Sequence, residues 1–440
     1  MSNKKNYALP IAMMFALFFM ISFVTGLQNP MGIIVKEQFH LSNLLSQFGN
    51  FANFIAYAVI GIPAGIILKK KGYKFTSLTA IIFGLVGVLI SILSSFIYNP
   101  ETNNWIFTFC VYLFGALISG FSMCMLNTVV NPMLNTLGSG GNHGNQLIQF
   151  GGSINSVGAT IVPIFIGNLM GSDLSKTTLG NARPALWIAL GIFALTFIVI
   201  SFVNIPEPHI EKASNQKNTN KHSPMAFRHF VLGIIAIFLY VGVEVGIANT
   251  ANLMMTHNSG EVLKFGLGMN TTIAGSIVGT YWFLMLIGRL LGGSFGGKIS
   301  SKLMLRIVSS IAIILIILAI IIPLTHTVKM PVIKSDLSFG LSQVPLSIML
   351  IILCGLCTSV MWGSIFNLSV EGLGKYTPAA SGIFMVMVCG GGILPLIQSA
   401  IADATNYVSS YWVIVGALVY ILFYALFGYK NVNKNLENGN

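Results

Sequence analysis

Twelve apolar segments, each of about twenty residues or more, set the limits on what this chain can fold into. They cover roughly residues 7–28, 44–68, 76–97, 105–131, 146–170, 184–204, 229–255, 270–293, 303–324, 346–370, 378–401 and 408–429. About twenty residues at ~1.5 Å per residue cross the ~30 Å hydrocarbon layer of a bilayer as a helix. The charge content agrees. Only 8% of the 440 residues are charged and 55% are hydrophobic, with a mean hydropathy of +0.82. A soluble domain carries about 25% charged residues, so a water-facing surface is excluded. The prediction is an all-α, multi-pass membrane protein. Lys4 and Lys5 precede the first segment, but that run is too long for a signal peptide and no small-residue cleavage pattern follows it.

The basic residues orient the spans. With the N-terminus inside, sixteen Lys and Arg fall in inner segments: Lys4, Lys5, Lys69, Lys70, Lys71, Lys74, Lys212, Lys217, Lys221, Arg228, Lys298, Lys302, Arg306, Lys375, Lys430 and Lys434. Six fall in outer loops: Lys36, Lys176, Arg183, Lys264, Lys329 and Lys334. Such a bias marks cytoplasmic loops, so both termini are predicted to be cytoplasmic. The net charge of +12 is then largely this inside bias, and no nucleic-acid partner is needed to explain it. The longest polar stretch, Pro206 to Pro224, suits a flexible linker. It predicts three parts: a six-helix bundle over 1–204, a cytoplasmic linker over 205–228 and a second six-helix bundle over 229–440.

The two halves resemble each other. "GATIVP" (Gly158 to Pro163) matches "GGGILP" (Gly390 to Pro395) at an offset of 232 residues, and "GIPAGIILKKKGYK" has a looser counterpart in "GGSFGGKISSK". Parallel repeats of this kind point to a transporter whose halves rock about a site at their interface.

Polar groups inside the spans are few. Glu244 lies near the middle of the seventh segment, where a charged carboxylate costs about 2.5–3.5 kcal/mol on insertion scales. It is the candidate proton carrier. Arg289, near the inner end of the eighth segment, is predicted to snorkel to the interface in a gating or structural role. Glu371, with Lys375 one turn later, reads as an interfacial ion pair. Amides are more numerous. Asn127, Asn131 and Asn135 are four residues apart and share a helix face. Gln28 and Asn29 end the first segment, Gln146, Gln149 and Asn155 lie in the fifth, Asn367 in the tenth and Gln398 in the eleventh. Tyr281, Trp282 and Trp362 add ring faces. Donors and acceptors beside aromatic rings suit a neutral polyol.

Other chemistries find no support. Cys110, Cys124, Cys354, Cys357 and Cys389 all sit in apolar runs and read as small buried hydrophobes. No Walker sequence, nucleophile motif or histidine-rich metal pattern occurs, so neither an enzyme nor a cofactor is expected.

"LNTVVNPMLNTLG" (Leu126 to Gly138), "NSVGA" (Asn155 to Ala159), "YVGVEV" (Tyr240 to Val245), "GRLLGG" (Gly288 to Gly293) and "MVCGGGILP" (Met387 to Pro395) together resemble the fucose–galactose–glucose permease branch of the major facilitator superfamily. The resemblance runs from the first segment to the twelfth. It implies the major facilitator fold and cation-coupled uptake of a hexose. Glu244 matches the acidic residue of the "YVG-x-E" pattern in glucose/galactose-type members. Three positions depart from the branch. Asn29 and Asn127 stand where fucose permeases carry carboxylates, and Gly152 replaces a glutamine. Lys69 stands where the superfamily loop between the second and third helices carries an acid.

The expectation is therefore a monomeric importer in the cytoplasmic (inner) membrane, multi-pass in the lipid bilayer. Its sugar would be fucose, galactose, glucose or an N-acetylhexosamine, driven by protons. Gln28, Asn29, Asn127, Asn131, Gln149, Asn155, Trp282, Trp362 and Asn367 would bind it. Sodium coupling or facilitated uniport is the alternative.

Overall fold

The computed structural model describes residues 7–39, 41, 45, 48–99, 101, 104–170, 178–203, 205–207, 223–256, 266–269, 271–334 and 338–432. Helices dominate, as they must where lipid cannot hydrogen-bond the backbone. In chain order they are α1 (Ala8–Phe39), α2 (Phe48–Ile97), α3 (Trp105–Leu137), α4 (Gly141–Met170), α5 (Arg183–Phe202), α6 (Arg228–Thr256), α7 (Thr271–Gly296) and α8 (Ser301–Ile321). Then follow α9 (Leu346–Thr358), α10 (Met361–Val370), α11 (Thr377–Val386), α12 (Gly390–Ala404) and α13 (Tyr407–Phe423). Among the described residues, ten helical stretches are long and apolar enough to cross a membrane.

Four segments differ in detail from the sequence reading. The second and third segments are two helices, numbered together as α2, that meet at a kink with no separate loop at Lys69–Lys74. The break is confined to Gly72, whose φ of 85° is the left-handed region that a side chain disfavours. The tenth segment divides into α9 and α10 at Ser359–Val360, and the eleventh into α11 and α12 at Met387–Cys389. The loop between α8 and α9 holds an antiparallel hairpin, β1 (Thr327–Ile333) and β2 (Phe339–Pro345), so the fold is not purely helical. Its register runs from Thr327 opposite Pro345 to Ile333 opposite Phe339. Met330, Val332 and Val344 are buried, and the Ile333 N–H donates to Thr280 Oγ1 on α7 at 3.0 Å.

Contacts divide the chain into two compact units. Unit 1 comprises Met1–Leu137, Val157–Pro224 and Leu373–Val386, and unit 2 comprises Gly138–Ser156, Met225–Gly372 and Met387–Asn440. Each packs its helices through small residues, which let backbones approach where lipid supplies no hydrophobic drive between helices. In unit 1, Cβ atoms at Gly61 and Gly65 on α2 would each fall 2.9 Å from Gly382 of α11. The second half of α2 starts at Tyr73, and Glu207 caps it. The carboxylate accepts from the Tyr73 and Lys74 N–H groups at 2.7 and 2.9 Å, and Lys74 Nζ donates to the Ser201 carbonyl at 2.8 Å. At the far end of this helix Arg183 donates to Ser95 Oγ and the Ser95 carbonyl at 2.9 and 2.6 Å, with its guanidinium over the Phe96 ring.

In unit 2, α6 and α12 run side by side in a parallel register. Phe238 meets Gly390, Gly242 meets Leu394, and Gly246 meets Gln398. The glycine comes from α12 at the first of these contacts and from α6 at the next two.

Candidate functional site

Glu244 lies seventeen residues into the 29-residue α6, away from both ends. Arg289 on α7 donates from Nη2 to Glu244 Oε1 at 3.4 Å, with side chains only 10% and 15% exposed for Arg289 and Glu244. Arg289 does not snorkel, as its sequence position suggested. Its Nη1 donates to the Gly152 carbonyl at 3.0 Å and to Ser156 Oγ at 2.7 Å, both on α4. Its Nε reaches the Ser359 carbonyl at 3.4 Å. The reason is solvation. A carboxylate and three polar oxygens meet a guanidinium fork here, so the cation is better paired inward than stretched to the interface.

The break between α9 and α10 contributes to the same place. A broken helix frees carbonyls that need donors. Arg289 serves Ser359, and Gln149 Nε2 serves the Val360 carbonyl at 2.9 Å. Gln149 also contacts Asn145 Oδ1 at 3.4 Å, and Gly363 leaves it room: a Cβ there would fall 2.8 Å from Gln149 Nε2. The Tyr281 hydroxyl donates to the Glu244 carbonyl at 3.2 Å and lies 3.1 Å from Thr358 Oγ1.

Rings flank the pair. The Trp362 ring is 6.3 Å from that of Tyr240, one turn before Glu244, and Trp282 packs edge-on against Tyr281 at 5.2 Å. Both tryptophans are half-buried. Next to Gly246, the Gln398 side chain is fully buried, and neither Oε1 nor Nε2 has a hydrogen-bond partner among the described residues.

The amide stripe of α3 belongs to unit 1. Asn127 Nδ2 donates to Tyr57 Oη at 2.9 Å and to the Met123 carbonyl at 3.2 Å. Asn131 Nδ2 donates to the Asn127 carbonyl at 2.9 Å. Both amides thus donate to carbonyls one turn earlier on α3, and Asn127 also donates to Tyr57 of α2.

The sequence-derived candidates thus separate. Glu244, Arg289, Gln149, Asn155, Trp282, Trp362 and Asn367 all belong to unit 2, and Asn127 and Asn131 to unit 1. Asn367 Nδ2 is bonded to Ser301 Oγ at 2.9 Å, at the first residue of α8, and so ties two helices together. The Gln28 and Asn29 side chains lie outside the described residues. Glu371 is exposed and its carbonyl accepts from His229 Nε2 at 2.9 Å, while Lys375 lies over the Tyr376 ring rather than forming the expected pair. Sequence reasoning passed over Ser156 and Tyr281 as partners of the charged pair. Ser156 was findable, since it follows Gly152 by one helical turn.

The cysteines are free, and Cys124, Cys354 and Cys357 are buried. Among the described residues, no group of His, Cys, Asp or Glu is placed to hold a metal ion.

Comparison with known proteins fits this geometry to a family. Residues 14–395 match the family model described as Major Facilitator Superfamily. A glucose/galactose transporter of Brucella abortus is 27% identical over 433 residues, covering 98% of this chain and 96% of the relative. A putative glucose/galactose transporter of Helicobacter pylori is 29% identical over 450 residues, covering 97% and 98%. The L-fucose-proton symporter of Escherichia coli is 22% identical over 431 residues, covering 92% and 89%. Among solved structures, the major facilitator transporter FucP in its outward conformation superposes with a TM-score of 0.75 at 20% identity, covering 96% of this chain and 99% of that one.

Proposed function

The chain belongs to the major facilitator superfamily, and from that premise we propose that it imports a neutral hexose by proton-coupled alternating access. It is a multi-pass membrane protein and a transporter rather than an enzyme. The finer reading is ours. Twelve spans form two six-helix repeats over 1–204 and 229–440, joined by the linker 205–228. Both termini are cytoplasmic, the membrane is the cell (inner) membrane, and a monomer suffices. The sugar is of the glucose, galactose or fucose type named for the relatives.

One observation carries the coupling: a carboxylate far from both ends of α6, paired with the buried Arg289, beside two half-buried tryptophans. A carboxylate so placed can exchange a proton, and Arg289, which also donates to three oxygens, is the group whose charge that proton leaves uncompensated. Trp362 and Trp282 offer ring faces to the apolar side of a sugar, and Asn127 offers an amide. Gln149 and Asn367 act by holding the α9–α10 break and the α8–α10 contact.

Two assays in vesicles test this. Glu244→Gln should abolish accumulation under an imposed pH gradient yet retain counterflow of labelled for unlabelled sugar, since exchange with sugar bound needs no proton release. Accumulation intact in Glu244→Gln sinks the proton role. Uptake insensitive to a protonophore but dependent on sodium favours the sodium-coupled reading. A panel of labelled glucose, galactose, fucose and N-acetylglucosamine identifies the sugar.

A further inference from the structure

We infer that Arg289 makes the seating of the first part of α4, Gly141–Ser156, depend on the charge of Glu244. This rests on the proton-carrier reading of Glu244 and extends it to the element that moves.

The guanidinium is shared. One edge faces Glu244, and Nη1 faces the Gly152 carbonyl and Ser156 Oγ. Gly152 leaves the side chain close room for that reach, since a Cβ there would fall 3.3 Å from Arg289 Cδ. The segment bonded to Arg289 is the part of α4 that belongs to unit 2, while α4 from Val157 onward belongs to unit 1. The contact thus lies on the unit 2 side of the division within this helix.

With Glu244 ionised, the pair is neutral and the guanidinium is oriented towards α4. When a Glu244 oxygen takes a proton from solvent, Arg289 keeps its charge and becomes a buried cation without a counterion, which a low-dielectric interior disfavours. It then leaves for better-hydrated surroundings and releases Gly152 and Ser156. Among the described residues, no other charged side chain is placed beside it. Among the described residues of the elements packed around the pair, the other ionisable side chains away from charged termini are the phenols Tyr240, Tyr281, Tyr407, Tyr411, Tyr420 and Tyr424 and the thiols Cys354, Cys357 and Cys389. His143, Arg228, His229, Glu371 and Asp403 lie at the ends of their elements, and Lys329 is exposed on β1.

Hydrogen–deuterium exchange of the full-length protein in lipid nanodiscs, corrected for intrinsic exchange rates at each pH, reads the latch directly. In the wild type, the peptide over 141–156 should exchange faster as pH falls. In Glu244→Gln it should exchange on the order of tenfold faster at every pH, the scale of losing hydrogen bonds from a charged donor. Arg289→Gln should do the same, and Arg289→Lys should restore part of the pH dependence. Ser156→Ala should speed exchange while keeping the pH dependence. If Arg289→Gln does not fold, Glu244→Gln and Ser156→Ala decide. Wild-type exchange rates over 141–156 in Glu244→Gln overturn the latch, whatever transport does. Undiminished accumulation in Glu244→Gln overturns the proton-carrier reading instead, so the two failures are distinguishable.

Discussion

The seam between α6 and α12 offers a sharp test of how unit 2 is packed. A Cβ placed at Gly390 runs into the Phe238 carbonyl oxygen and falls 2.7 and 2.9 Å from its carbon and Cα. Ordinary contact begins at 3.4 Å. All three atoms are backbone, so no rotamer relieves the overlap, and the helices must part by roughly 1 Å or more. Overpacking of this kind costs about 1–3 kcal/mol. Parting them also loosens Gly242 against Leu394 and Gly246 against Gln398, the next two contacts of the register. Gly275 and Gly279 on α7 are the control, because a Cβ at either meets nothing within 4 Å. There alanine should be neutral or stabilise by about 0.5–1 kcal/mol through helix propensity. The buried thiols Cys354 and Cys357 report unfolding natively, by reaction with a thiol-specific fluorophore during heating. At about 2–4 °C per kcal/mol, Gly390→Ala should lower the melting temperature by roughly 2–12 °C. Equal melting of Gly390→Ala and Gly279→Ala would refute the close approach of these helices.

Other outcomes follow from the same contacts. Asn127→Ala should impair sugar uptake in cells while the protein still reaches the membrane folded. Normal kinetics together with aggregation would instead make Asn127 a packing group for Tyr57. Asn367→Ala should cost about 1 kcal/mol in the thiol-melting assay and leave sugar affinity unchanged, since its donor is spent on Ser301. Gly363→Ala should displace Gln149 from the Val360 carbonyl and slow transport without unfolding the chain, as a transport and melting pair would show. Burial holds the Glu207 carboxyl above its ordinary value of 4.5, against the pull of the Lys74 and Tyr73 N–H groups. The folded state therefore binds this proton more tightly than the unfolded chain, and the stability it contributes is full below 4.5 and lost as pH rises through the raised value. Glu207→Gln should flatten that part of the melting profile. An unchanged profile would rule it out.

Spans were legible because periodicity and length are local properties. The run from Arg228 to Met255 announces a helix whatever it packs against. Breaks were less legible. Gly72 stands in a basic stretch that reads as a loop, yet one left-handed residue is enough when Glu207, more than 130 residues on, caps the helix that follows. The α9–α10 break has no proline or glycine at Ser359–Val360 to announce it. It is sustained by donors from Gln149 and Arg289, which no local pattern connects to it. The hairpin was hidden for a similar reason, since its burial comes from packing on α7. Within the site, the identities of Glu244 and Arg289 were readable as rare charges, but their pairing was not. They lie 45 residues apart, and Arg289 stands close enough to a helix end that snorkelling looked cheaper than burial.

The distribution of charge between the units limits where coupling can reside. In unit 1 the described charged side chains sit at helix ends, breaks or turns: Lys69 to Lys74 around Gly72, Glu101 in the turn before α3, Arg183 against Ser95 and Phe96, Glu207 at the start of a helix, and Lys375 just before α11. At the centre of α3, where a fucose permease is expected to hold a carboxylate, Asn127 instead donates to a phenol, and neither group changes charge near neutral pH. Unit 2 holds the mid-helix pair. A proton taken up at Glu244 changes the buried charge of unit 2 from zero to one, and Arg289 is the group that must respond. Moving a carboxylate into unit 1, as in Asn127→Asp, therefore adds a second titrating site and does not replace the first. If coupling resides in unit 2, the Asn127→Asp, Glu244→Gln double variant should fail to accumulate sugar just as Glu244→Gln does, and recovered accumulation would mean that the position of the acid matters less than its presence.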